Sequence, residues 1–103
     1  LAGQPVQRED YAIELVEGVA EHIVEIDELI DRFAKGWRTD RMPRVDLSLV
    51  RMAVFELGYR ADVPTSAVLA EVVALVADYS TERSGRFVNG VVSRIAEELR
   101  PGT

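Results

Sequence analysis

The sequence predicts an all-α fold, a helical bundle of about four helices, and three observations carry the prediction. Apolar residues recur at three-and-four spacing over long stretches. No stretch alternates apolar and polar residues as a half-buried strand does. Glycine, proline and short polar clusters punctuate the chain about once per helix length.

Residues 1–10 contain Gly3 and Pro5 and no apolar period, so they read as a loop. Because the chain begins at Leu1, this loop is expected to be the remnant of a preceding subdomain, with the helical domain proper over 11–100. From Tyr11 to Phe33 the residues Ala12, Leu15, Val16, Val19, Ile23, Ile26, Ile30 and Phe33 share one helical face, which predicts a single long helix. Its opposite side carries Glu14, Glu17, Glu21, Glu25 and Glu28, an acidic stripe that is either solvated or a docking face.

Gly36 ends that pattern, and the stretch from Trp37 to Asp46, interrupted by Pro43, reads as a loop pinned by burial of Trp37. Asp46 is placed to cap a second helix, Leu47 to Tyr59. That helix is apolar nearly all round, so it should lie centrally, and Arg51 on it needs a carboxylate partner to offset desolvation. Glu71 is the expected partner.

The Ala61-Asp62-Val63-Pro64 segment breaks the second helix. A third follows from Ser66 to Asp78, with Leu69, Val72, Val73 and Val76 as its inner face. Ser84 is placed to cap a last helix whose apolar face is Phe87, Val88, Val91, Val92, Ile95 and Leu99, before Pro101 ends it. The Asn89-Gly90 pair would suit a hairpin turn, but the helical period runs through it. Gly90 is therefore expected to admit the close approach of another helix, with Asn89 capping or bridging a neighbouring backbone.

Composition narrows function. A chain of 103 residues, 48% hydrophobic and 29% charged, suits one ordinary globular domain. No apolar run reaches membrane-span length and no signal-peptide pattern is present, so a cytoplasmic address is the expectation. Cysteine is absent and His22 is the single histidine, which removes thiolate sites and histidine metal clusters. No glycine-rich cofactor loop is present, so no catalysis, metal or cofactor is expected. A net charge of −6 argues against gripping nucleic acid by bulk electrostatics and suits a basic protein partner.

The last helix contains Phe87-Val-Asn-Gly-Val-Val92, which resembles the most recognisable signature of the NusB family. Leu15-Val-Glu-Gly-Val19, Ile26-Asp27, Val45-Asp46 leading to Val50-Arg51-Met-Ala-Val-Phe-Glu-Leu57, and Asp62-Val-Pro64 resemble that family in the same order. The resemblance implies two packed helical subdomains, of which this chain supplies the second and lacks the arginine-rich first helix. It also implies a factor that pairs with NusE, the small ribosomal protein S ten. Together they bind boxA RNA of nascent ribosomal RNA transcripts within the RNA polymerase antitermination complex. The run Leu69-Ala-Glu-Val-Val-Ala-Leu-Val-Ala77 departs from the family's Ile-Asn-Glu-Ala-Val-Glu-Leu-Ala-Lys type, keeping Glu71 but losing a lysine that could contact phosphate.

Within that frame Arg83, Arg86 and Phe87 are the RNA candidates, a basic pair beside an aromatic ring near a helix N-terminus; the alternative places Phe87 in the core and the arginines in solvent. Arg44, Asp46 and Glu56 are the partner-binding candidates by resemblance alone. Two other readings compete. One is the RNA-positioning NusB-like domain of a ribosomal RNA cytosine methyltransferase, against which an ending at Pro101-Gly-Thr103 speaks. The other is homodimerisation through an apolar face left uncovered.

Overall fold

The computed structural model describes residues 8–34 and 39–102. Among these residues are five helices: α1 (Arg8–Glu21), α2 (Ile23–Phe33), α3 (Arg44–Tyr59), α4 (Thr65–Tyr79) and α5 (Glu82–Leu99). Among the described residues there is no strand. The expected loop at the start gives way to helix at Arg8, and the roles expected of Gly36 and Trp37 lie outside the described residues.

The all-α class holds, but the single helix expected over 11–33 is two. The break falls at His22, whose φ of −115° and ψ of 23° leave the helical region. Its N–H is shared between the carbonyls of Gly18 and Val19, at 3.1 and 3.2 Å, and its own carbonyl starts α2 by accepting from Ile26 at 2.9 Å. Neither proline nor glycine marks the site, so periodicity passes through it. Tertiary packing supplies the reason: α1 rests on α3, whereas α2 reaches both α3 and α5. His22 itself stacks on Tyr59, with ring centres 4.0 Å apart and planes 19° from parallel.

Helix α3 is the central element, touching all four others. Its buried Val50, Ala53, Val54 and Leu57 meet Val68, Val72 and Val76 of α4, Val88, Val91, Val92 and Ile95 of α5, and Ile26 and Ile30 of α2. Each such valine, leucine or isoleucine side chain contributes about 1.5–3 kcal/mol on burial. The inner face of α4 is rotated from the expected one: Val68 is buried, while Leu69 is half-buried and Val73 exposed.

Four local expectations are not met. Helix α3 begins a turn early, with Pro43 rather than Asp46 at its N-cap, because proline's fixed φ suits a helix start and Asp46 has folded inward instead. Helix α5 is capped by Thr81, whose hydroxyl accepts from the Ser84 N–H at 3.0 Å; Ser84 is buried inside the first turn. Among the described residues Gly90 meets no neighbouring helix, since a Cβ there would approach only the Arg94 guanidinium, at 3.8 Å. The close approach occurs at Gly18, where an added Cβ would lie 2.2 Å from the Phe55 ring. Asn89 is exposed and bridges no backbone among the described residues.

Candidate nucleic-acid interface

Arg51 does find a carboxylate, but it belongs to Asp27 on α2. The guanidinium grips it side-on, Nε to Oδ1 at 2.9 Å and Nη2 to Oδ2 at 2.7 Å. Glu71 is exposed on α4, at the edge of a small crevice that Leu15, Met52, Glu56 and Val72 also line. Sequence spacing could not separate the two acids, because pairing depends on which helices pack beside the Arg51 face of α3. Replacing Asp27 by Ala should lower stability by about 1–2 kcal/mol, discounted because both side chains remain about a quarter exposed. Replacing Glu71 by Ala should change it by less than about 0.5 kcal/mol. Urea denaturation of the two variants checks both, and the reverse order would contradict the pairing.

The three partner-binding candidates do not form one surface. Arg44 is exposed in the first turn of α3. Asp46 is 0% exposed, and neither carboxylate oxygen has a hydrogen-bond partner among the described residues. Glu56, three turns further along, is 8% exposed and accepts a hydrogen bond from the Tyr11 hydroxyl. Burial and the Glu56 hydrogen bond both push the Tyr11 phenol well above its ordinary pKa. Arg60 lies 5.0 Å over the Tyr11 ring and pairs with Glu14 and Asp62, which completes a polar latch holding α1 on the end of α3. Asp46 and Glu56 are thus interior groups of this chain.

The exposed apolar surface lies elsewhere. Val16, Val19, Ala20 and Ile23 on the α1–α2 arm and Ser48, Arg51 and Met52 on α3 line an open groove of about 430 Å³. Val16 and Ile13 on α1 and Val24 on α2 are exposed. Opposite-facing Glu14, Glu17, Glu21, Glu25 and Glu28 are all exposed, so the acidic stripe read from sequence is solvent-facing.

The RNA candidates do share a surface. Arg83 and Arg86 are exposed on the first turns of α5, and Phe87 beside them is half-buried and packed against the core. Positions three and four apart on a helix are neighbours, so the three side chains form one group. Thr81 satisfies the Ser84 N–H, leaving the earlier amides of the first turn facing outward with the helix dipole's positive end. Glu82 in that turn opposes an anion there, so the arginines are the positive charges available to a phosphate backbone.

Comparison with known proteins agrees with this architecture. The NusB family profile matches residues 2–97. The Transcription antitermination protein NusB of Acidothermus cellulolyticus is 50% identical over 86 residues, covering 84% of this chain and 59% of that protein. That of Frankia casuarinae is 50% identical over 88 residues, covering 85% and 65%. The solved structure of T. maritima NusB superposes with a TM-score of 0.83 at 36% identity, over 89% of this chain and 65% of the other. The chain therefore spans about three fifths of the length of the curated relatives it matches. With the profile covering nearly every residue and the fold superposing on a solved member, the chain belongs to the NusB family.

Proposed function

We propose that this chain serves in transcription antitermination, contacting boxA-type RNA of nascent ribosomal RNA transcripts together with NusE in the RNA polymerase antitermination complex. The observation that carries the reading is the exposed Arg83–Arg86 pair beside the Phe87 ring, on a helix that bears the Phe87-Val-Asn-Gly-Val-Val92 signature. Guanidinium groups hold phosphates, and a neighbouring ring offers a base a stacking face. With a net charge of −6, affinity from this chain alone is modest, and a basic partner supplies the remaining positive field.

The test is titration of a fluorescent boxA-type RNA with the chain, with and without NusE, at two or more salt concentrations. Binding is expected to be salt-sensitive and to tighten with the partner. Each phosphate contact on a single strand contributes about 0.7 to the slope of log affinity against log salt, so the Arg83→Ala, Arg86→Ala double variant should flatten the slope by about 1.4. An unchanged slope in the double variant would remove these arginines from the interface. No binding under any condition, by a chain that remains helical, would remove the RNA function.

A further inference from the structure

Tyr79 is the most exposed of the large hydrophobic residues among those described, at 69%, and nothing in the fold accounts for it. It is the last residue of α4. Ser80 and Thr81 alone separate it from α5, whose first two turns carry Arg83 and Arg86. The two helices are packed closely at this end: a Cβ on Gly85 of α5 would lie 4.0 Å from the Val76 side chain, one turn before Tyr79. An uncovered tyrosine ring thus closes α4 two residues before the helix that bears the arginine pair, whereas the Phe87 ring is partly committed to the core.

Charge around the ring decides what it can take. Asp78 precedes Tyr79 and Glu82 opens α5, both exposed, so a phosphate placed directly at Tyr79 meets negative charge on two sides. A base does not, because stacking uses a neutral aromatic face and tolerates any base identity. The arrangement separates two tasks, backbone contact at Arg83 and Arg86 and base contact at the end of α4.

We infer that Tyr79 is a stacking platform for one unpaired base of a single-stranded RNA whose backbone runs past Arg83 and Arg86. The inference rests on the RNA reading above and extends that surface from α5 onto α4.

Tyr79 is exposed, so its replacement leaves the fold intact, which circular dichroism verifies. The probe is the fluorescent single-stranded boxA-type RNA, with NusE present, and a second set of the same RNA carrying one abasic nucleotide moved along its length. Tyr79→Ala is expected to weaken binding about fivefold or more while Tyr79→Phe retains it, since the ring and not the hydroxyl does the stacking. The salt slope should stay unchanged in Tyr79→Ala, in contrast to Arg86→Ala. One abasic position should weaken the wild type and leave Tyr79→Ala unaffected. If Tyr79→Ala binds as tightly as the wild type while Arg86→Ala binds less tightly, the platform is disproved and the RNA reading stands. If the wild type binds no RNA, both fall together.

Discussion

Replacing Arg100 by Ala is expected to destabilise the chain by about 2–3 kcal/mol, the largest effect of any single polar substitution considered. The residue follows α5 and reaches across to the end of α3, where its guanidinium serves a ring of acceptors. Nε donates to the Leu57 carbonyl at 3.0 Å; Nη1 donates to the Val63 carbonyl at 2.6 Å and to the Thr65 hydroxyl at 3.1 Å. Nη2 donates to the carbonyls of Glu56 and Arg60, at 3.1 and 2.9 Å. The last carbonyls of a helix have no intrahelical donor, and a positive charge there also complements the helix dipole. One side chain thereby closes α3, fixes the turn into α4 and ties down the end of α5.

Two of those acceptors have a second donor. The Glu56 carbonyl also takes the Arg60 N–H and the Arg60 carbonyl takes the Val63 N–H, both at 3.0 Å. The carbonyls of Leu57 and Val63 are the ones that lose most, which sets the estimate at two charge-assisted bonds and not five. For a domain of this size about 4–8 °C of melting temperature accompanies each kcal/mol, so a fall on the order of 10–20 °C is expected. Arg100→Lys should recover less than half, because an ammonium cannot span the fork of acceptors that the planar guanidinium meets. Thermal unfolding followed by circular dichroism checks both variants, and a drop of only a few degrees for Arg100→Ala would refute the clamp.

What the sequence disclosed and what it withheld follow from the range of each interaction. Helix existence depends on local period, and α3, α4 and α5 were legible within a residue or three of their ends. The inner face of α5 was read almost whole, since Val88, Val91, Val92 and Ile95 are all buried. The break at His22 was not legible, because it is imposed by the different neighbours of α1 and α2 and not by any local residue. The partner of Arg51 was withheld for the same reason: Asp27 and Glu71 are equally acidic, and helix packing alone decides between them. At the candidate RNA surface the arginines were visible as a pair, but Tyr79 was not, since its exposure depends on where α4 stops relative to the core. Gly90 and Gly18 illustrate the limit most sharply. Both are mid-helix glycines, and only tertiary structure reveals which one faces a ring.

That difference makes Gly18→Ala the second large effect. In an open helix interior the substitution would stabilise by about 1 kcal/mol, through reduced backbone freedom of the unfolded chain and better helix propensity. Here the new methyl would sit 2.2 Å from Phe55 Cζ and 2.4 Å from Cε1, well inside contact distance. The ring has little room to yield. Phe55 is 7% exposed, stacked against Tyr59 at 5.3 Å and faced by His22 at 6.3 Å, and Tyr59 in turn carries the His22 ring. Displacing Phe55 disturbs that stack, and lifting α1 instead strains the Tyr11–Glu56 and Arg60–Glu14 contacts. Overpacking of this kind costs about 1–3 kcal/mol, so the net result should be destabilisation by roughly 1–2 kcal/mol despite the propensity gain. A double-mutant cycle isolates the cause: in a Phe55→Leu background the shorter side chain clears the methyl, and Gly18→Ala should there become neutral or stabilising. Urea denaturation of the four proteins measures the coupling. Were Gly18→Ala to stabilise the parent chain, the close approach of α1 to α3 at this ring would be wrong, and with it the account of why the α1–α2 arm bends at His22.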